Sequence, residues 1–212
     1  MLYGWCTLFF TCTAANAFQQ GNAPSADVDR RADVYAIYSQ LLTHPQTSHG
    51  PDDNEIYLIA DTTVHGTPRE PCVRVPSEYA ARYAEVMADY NRRKDTPVVL
   101  EAAFHIAKPY RLLNGGEVSE FFTRYANAGT AALKSKSPKV SDLFQLTDVY
   151  FNRDRTLALT AISSWCGSLC AMYQWKVLAK TADGQWEEKP WVACVAVAQT
   201  GRATTAFTEF LR

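Results

Sequence analysis

Two closely spaced cysteines, Cys166 and Cys170 in the stretch WCGSLC (residues 165–170), carry side chains that could do chemistry. Such a pair could cycle between dithiol and disulfide, bind a metal ion, or form a local disulfide that shapes a loop. A metal site needs further ligands, but the four histidines are scattered and none has the spacing of a zinc-ligand pair. The sequence therefore predicts no metal site and leaves a redox pair and a structural disulfide as the two interpretations.

A redox pair needs surroundings that lower the pKa of one thiol. Thioredoxin-type sites place the first cysteine of a C-x-x-C motif at a helix N-terminus. Here the spacing is C-x-x-x-C, the flanking residues alternate like strands, and no Lys or Arg lies between Arg155 and Lys176. These departures favour a local disulfide between Cys166 and Cys170 in a strand-to-strand loop. A periplasmic thiol–disulfide oxidoreductase that uses the same two cysteines is the alternative hypothesis.

The predicted disulfide would shape the loop more than it would stabilise the fold, because closing a five-residue loop contributes only about 2 kcal/mol. Gly167 relaxes the backbone of the tight loop and Ser168 tolerates a turn. Rigid aromatic side chains suit binding surfaces, although aromatic residues of this region could instead belong to the core. The residues expected to form a contact surface for a ligand or protein partner are Trp165, Gly167, Ser168, Leu169 and Tyr173.

Other catalytic signatures are absent from the sequence. It has no nucleophile elbow, no phosphate-binding glycine loop and no H-E-x-x-H motif. Asp61 is an isolated carboxylate, and Asn152 and Asp154 are expected to make local hydrogen bonds in a turn. The sequence thus predicts no catalytic residue and no cofactor, and favours a non-catalytic domain; a hydrolase assembled from scattered residues is a third hypothesis.

Residues 1–17 have the features of a cleaved signal peptide. They carry no charge, include the apolar run Leu8–Phe10, and end in Ala15–Ala17, an A-x-A cleavage pattern. No Lys or Arg precedes the apolar run, so either the signal is weak or translation starts upstream. Lipidation at Cys12 is disfavoured because the preceding Thr11 is too large. The apolar segment is too short to span a bilayer, so we expect an extracytoplasmic protein, periplasmic or secreted, without an integral membrane segment.

Signal cleavage would leave an even number of cysteines, which in an exported protein suggests disulfides. The four are Cys72, Cys166, Cys170 and Cys194, and they allow three pairings. Cys72 and Cys194 are therefore the second candidate pair.

The remaining pattern predicts one α+β domain over residues 27–198, after a disordered lead (18–26) and before a C-terminal tail (199–212). Apolar residues recur every three to four positions over 27–42 and 77–93, which indicates helices, and a shorter helix follows Gly116. From residue 142 onward the period is two, which indicates a β-meander. We therefore expect N-terminal helices packed on one face of a mainly antiparallel sheet. The net charge of −1 argues against a nucleic-acid partner.

The C-terminal half resembles an uncharacterised family of exported bacterial proteins with the pattern V-x-F-N-x-D-x-T-x-A, then C-G-x-L-C-G, then G-x-W. The similarity extends over roughly residues 33–198, although Ala171 stands where the pattern has Gly. The resemblance implies export and a single fold, and it implies nothing about activity. The matching residues are Val149, Phe151, Asn152, Asp154, Thr156, Ala158, Cys166, Gly167, Leu169, Cys170, Gly184 and Trp186.

Overall fold

A computed structural model describes residues 26–43, 56–65, 70–128, 142–167, 170–191 and 195–198 of the chain. The predicted signal peptide and the C-terminal tail lie outside the described residues, as do all but the last residue of the predicted lead.

Three helices form where the apolar periodicity predicts them. They are α1 (Ala26–Thr43), α2 (Ala80–Arg93, after a 3-10 turn at Ser77–Tyr79) and α3 (Gly115–Ala128). A capping box starts α3: Asn114 Oδ1 accepts a hydrogen bond from Glu117 N, and Glu117 Oε2 accepts one from Asn114 N, both 3.0 Å long. The cap satisfies backbone donors that a helix start leaves unpaired.

The strands form one sheet, in the order β2-β1-β3-β5-β6-β7, with β4 paired to β5 and β8 paired to β6. The β1–β2 and β1–β3 pairs are parallel and the other pairs are antiparallel. The predicted α+β class and mainly antiparallel sheet are confirmed, with β5, β6 and β7 as the meander. The strands are β1 (Tyr57–Ala60), β2 (Tyr110–Leu113), β3 (Leu143–Leu146), β4 (Tyr150–Phe151), β5 (Leu157–Gly167), β6 (Cys170–Lys180), β7 (Trp186–Glu188) and β8 (Val195–Ala198).

The helices cover both faces of the sheet, so the expectation that they lie on one face is wrong. Along β5, Ala158 and Ile162 pack in the cluster that contains α1, whereas Leu159 and Ala161 pack with α2. Successive strand residues point to opposite faces, so α1 and α2 lie on opposite sides of β5. Helix α3 packs on the α2 side, against Leu143 of β3. The central strands are apolar on both faces and therefore need cover on both.

A buried carboxylate ties the two helix layers to the sheet. Asp148, 2% exposed, lies between β3 and β4. Its Oδ2 accepts a hydrogen bond from Arg93 Nε of α2 (2.9 Å), and its Oδ1 accepts one from Val149 N (2.8 Å). Arg30 of α1 approaches Oδ1 at 3.5 Å and donates to the Val149 carbonyl at 2.7 Å. One carboxylate thus holds an arginine from each layer.

Candidate functional site

The predicted cysteine loop is the turn of the β5–β6 hairpin. Strand β5 ends at Gly167 and β6 begins at Cys170, and these two residues are paired across the turn. The register shifts between Trp165 and Gly167, which places a bulge at Cys166. The strand-to-strand position predicted for the stretch is confirmed. Ser168, Leu169 and the side chains of both cysteines lie outside the described residues, so their disulfide stays a prediction.

Cys72 is disulfide-bonded. It is also the only cysteine whose side chain the structure describes, so no complete cysteine pair is seen within the described part of the chain. Cys194 lies outside the described residues, and its pairing with Cys72 stays a prediction.

The two aromatic residues predicted beside the loop pack between the sheet and the helices. Trp165 is half-buried, and its ring lies edge-on to Phe121 and Phe122 of α3, with centroids 5.2 and 5.6 Å away. Tyr173 is buried and packs edge-on against Trp175, with centroids 5.9 Å apart. These contacts place both rings in the layer that contains α2 and α3, and connect the hairpin to that layer.

A cavity of about 260 Å³ lies on the opposite face, between the C-terminal half of α1 and the sheet; we call it the sheet cleft. Its apolar part is formed by side chains that also belong to the α1 core, Leu41, Phe144 and Ile162. Most of its polar part comes from neighbouring strands, with Ser164 on β5, Gln174 and Lys176 on β6, and Glu187 and Glu188 on β7. The strand ladder fixes these polar side chains in a row beside an apolar floor.

Lys176 is a buried cation in the sheet cleft. It is 7% exposed, and its Nζ donates to Glu188 Oε1 at 2.5 Å. The Glu188 side chain is 39% exposed, so the ion pair has a buried and a solvated end. Among the described residues Glu188 is the hydrogen-bond partner of the ammonium group. Since an ammonium group has three donors, two of them remain for a ligand or water.

Gln174 presents a buried acceptor without a partner. Its Oε1 is inaccessible to solvent and accepts no hydrogen bond from any described residue. Leaving a buried polar atom unsatisfied costs about 1–3 kcal/mol, and such atoms in native proteins call for an explanation, for example a bound molecule. Gln174 and Lys176 are two residues apart on β6 and line the same cleft. Together they offer one acceptor and two donors.

A second cavity, of about 340 Å³, lies where the N-terminal half of α1 meets α2 and the β4–β5 turn; we call it the arginine cleft. Four of its lining side chains are arginines and two are carboxylates, which gives the lining an excess of positive charge. The charged lining residues are Arg30, Arg92, Arg153, Arg155, Glu85 and Asp89.

The β4–β5 turn is held by side chains of its own sequence, as predicted for Asn152 and Asp154. Asn152 Oδ1 accepts hydrogen bonds from Thr156 N (2.9 Å) and Leu157 N (2.8 Å), and its Nδ2 donates to Asp154 Oδ1 (2.5 Å). The hydrogen bond from the Thr156 hydroxyl (2.7 Å), with others from Thr156 N and Asn152, holds the pKa of Asp154 below its ordinary value. Arg155 has a φ of 54°, a left-handed conformation that is rare for a branched or long side chain.

The sheet cleft was missed from the sequence. In the sequence Gln174 and Lys176 are simply the polar residues that alternate with Tyr173, Trp175 and Val177 along a strand. The sequence shows only that these residues are polar. Whether they are buried depends on how α1 and β7 pack around β6. That cover is a long-range contact and leaves no mark on the local periodicity.

No group of three or more His, Cys, Asp or Glu side chains in the described ranges is close enough to hold a metal ion. No helix in the described part of the chain is both long and apolar enough to cross a membrane. Two cavities lined by described residues, the sheet cleft and the arginine cleft, are the candidate ligand sites. The chain matches no protein-family model, no curated protein and no solved structure.

Proposed function

We propose that this protein is an exported, non-catalytic domain that binds a small uncharged ligand in the sheet cleft. The observation that carries the proposal is the buried Gln174 Oε1, an acceptor without a partner among the described residues, beside the partly satisfied Lys176 ammonium group. A ligand that donates to the first and accepts from the second would complete both. Completing a buried hydrogen-bonding group is favourable because its desolvation cost has already been incurred on folding.

The charge of the sheet cleft selects for an uncharged ligand. Lys176 pairs with Glu188 at 2.5 Å, and Glu187 pairs with Lys189 at 2.6 Å, so each lining charge has a counter-charge. A ligand with a net charge would have to displace one partner of an existing ion pair. An amide supplies the needed donor and acceptor in one group, and an apolar substituent would lie on Phe144. N-acetyl-leucine amide has all of these features and is a suitable probe.

A non-catalytic role agrees with the residues that line the sheet cleft. The described lining has no His and no Cys, and its Lys is held in an ion pair. An activated nucleophile needs an adjacent base, and a general base needs a free acceptor near the reacting proton. The geometry therefore supports recognition more than bond cleavage.

Export and the disulfide-shaped hairpin complete the proposal. The apolar, uncharged segment 1–17 with its A-x-A pattern supports export. The position of Cys166 and Cys170 at a strand-to-strand turn supports a structural disulfide, because such a turn has no helix N-terminus to lower a thiol pKa. A local bridge would fix the bulged end of the hairpin, from which Trp165 packs on α3.

A titration of the ¹⁵N-labelled protein with N-acetyl-leucine amide, followed by NMR, tests binding in the sheet cleft. We expect saturable shifts at Gln174 and Lys176, and their loss in Gln174→Leu. Gln185→Leu is the matched control, since Gln185 is exposed in the β6–β7 turn and outside both clefts. Shifts that spread over the surface, or that persist unchanged in Gln174→Leu, would count against the proposal.

Mass spectrometry of the exported protein after alkylation tests the hairpin. A structural role predicts a fully oxidised Cys166–Cys170 bridge that resists reduction at glutathione-like potentials. A pair that cycles readily and contains a low-pKa thiol would instead support the oxidoreductase hypothesis.

A further inference from the structure

We propose that the arginine cleft is a second binding site, specific for a tetrahedral oxyanion such as phosphate or sulfate. The arginine cleft lies at the other end of α1 from the sheet cleft. The proposal therefore does not depend on whether a ligand binds in the sheet cleft. Four arginines and two carboxylates line it, and three separate elements present them. Arginine donates in a planar fork that matches the edge of a tetrahedral oxyanion.

Arg153 supplies a cation that the protein leaves available. Its backbone N–H donates to Glu85 Oε2 of α2 at 3.0 Å, which anchors the turn to the helix. Its side chain is exposed and, among the described residues, makes no hydrogen bond or ion pair. The backbone of Arg153 is thus anchored, while its guanidinium group lines the arginine cleft and can donate hydrogen bonds to a ligand.

Arg92 can turn toward a ligand at small cost. It is 68% exposed, and its contact is an i, i+3 ion pair with Asp89 at 2.8 Å, a kind of pair that contributes little to stability. Asp89 also accepts a hydrogen bond from Phe151 N at 3.0 Å. The carboxylate therefore keeps a partner when Arg92 moves to an anion.

Arg155 occupies an unfavourable backbone conformation at the tip of the turn. Its φ of 54° costs free energy in a residue with a Cβ, and such outliers cluster at functional sites. Hydrogen bonds of Asn152 and Thr156 enforce the conformation. Contacts of 3.6 Å to Asp29 and Asp33 hold the guanidinium group at the α1 edge of the cleft.

The fourth arginine closes the cleft from the α1 side. Arg30 is fixed by the Val149 carbonyl at 2.7 Å and by Asp148, so its position is set before any ligand arrives. The site thus combines two fixed cations, Arg30 and Arg155, with two adjustable ones, Arg92 and Arg153. Preorganised donors reduce the ordering cost of binding.

NMR titration of the full chain with inorganic phosphate, at ionic strength held constant with sodium chloride, tests the site. We expect saturable shifts in the backbone and Nε–Hε signals of Arg153 and Arg155. Arg153→Ala should weaken phosphate binding by about tenfold, the effect of losing one charge-assisted contact. Arg74→Ala is the matched control, because Arg74 is exposed and outside both clefts.

Parallel arms with sodium sulfate and glycerol 3-phosphate distinguish the form of the oxyanion. Equal binding of sulfate and phosphate would assign a general tetrahedral site, and tighter binding of glycerol 3-phosphate would assign a phosphate-ester site. Shifts that chloride reproduces, or affinities that are equal in the wild type, Arg153→Ala and Arg92→Gln, would overturn the proposal. Because both substituted side chains are exposed, folding is expected to persist, and thermal unfolding of each variant verifies it.

Discussion

The two clefts at opposite ends of α1 differ in what fixes their polar groups. Gln40 and Leu41 reach the sheet cleft and Arg30 reaches the arginine cleft, which at about 1.5 Å per residue separates them by about 15 Å along the helix. In the sheet cleft, Gln174 and Lys176 project from β6 and are placed by the backbone ladder. In the arginine cleft, the cations come from two helices and a turn and are placed by ion pairs and hydrogen bonds.

The two clefts should therefore respond differently to perturbation. A ladder-fixed site keeps its shape when one side chain is changed, because backbone hydrogen bonds carry the geometry. A site held by ion pairs depends on the partners of its charges, and its exposed pairs weaken as the salt concentration rises. Changes to charged partners should therefore damage the arginine cleft and spare the sheet cleft.

The largest effect is expected for Asp148→Asn. Asp148 is 2% exposed and neutralises Arg30 and Arg93, so its loss leaves two partly buried cations without a counter-charge. We expect the free energy of unfolding to fall by about 3 kcal/mol in urea denaturation. Asp95→Asn, at an exposed position after α2, should change it by less than about 0.5 kcal/mol.

The same variant separates the two clefts. Phosphate binding should weaken, because Asp148 helps to hold Arg30 in place, whereas N-acetyl-leucine amide should bind as tightly as in the wild type. Loss of both ligands in a protein that remains folded would contradict independent clefts.

Asn152→Ala should have the next largest effect. Asn152 is 2% exposed, and its Oδ1 serves the backbone N–H groups of Thr156 and Leu157. Removing an acceptor from buried donors is expected to cost about 2 kcal/mol in urea denaturation. Asn91→Ala, on the exposed side of α2, is the control and should be close to neutral. A wild-type phosphate affinity in Asn152→Ala would show that the turn does not position the arginines.

Lys176→Met addresses the sheet cleft, and here a loss of function is expected with little loss of stability. Removing one partner of an ion pair is costly when the remaining charge stays buried, but the Glu188 side chain is 39% exposed and can be solvated. We expect a change in unfolding free energy below about 1 kcal/mol, with N-acetyl-leucine amide binding weakened about tenfold. Unchanged binding measured by NMR would remove Lys176 from the site.

Tyr83→Phe tests a buried polar atom that belongs to neither cleft. Its hydroxyl has no partner among the described residues, and burial raises the pKa of Tyr83 from 10.0 to about 12. Tyr83 keeps its proton to a higher pH in the folded state than in the unfolded state. The stability that this difference contributes is therefore fully present below pH 10 and is lost as the pH rises through about 12. In Tyr83→Phe the free energy of unfolding should fall less steeply between pH 9 and about 12 than in the wild type, and both ligands should still bind. Identical pH profiles of the unfolding free energy in the two proteins would contradict this assignment.

The sequence predicted the elements whose signals are local. The periods of α1, α2 and the C-terminal strands are visible in single segments, and Asp183–Gly184 marks a turn in which Gly184 has a φ of 84°. Asn152 and Asp154 were recognised as turn residues for the same reason.

The features that were not predicted depend on distant partners. Strand β2 follows Pro109 and has a weak pattern, and it forms because Tyr110–Leu113 pairs in parallel with β1. The placement of α1 opposite α2 and α3 decides that Gln174 and Lys176 line a cleft, in which Lys176 and the Oε1 atom of Gln174 are buried. Neither the partner of a strand nor the cover over a face is encoded in local periodicity.

The most direct test of the binding role is to measure stability and binding together in Gln174→Leu. If Gln174 Oε1 is kept unsatisfied for a ligand, removing it should raise the unfolding free energy of the ligand-free protein by about 1 kcal/mol, while abolishing N-acetyl-leucine amide binding. Gln185→Leu should change neither quantity. A destabilised Gln174→Leu that still binds the amide would contradict the proposed sheet-cleft site.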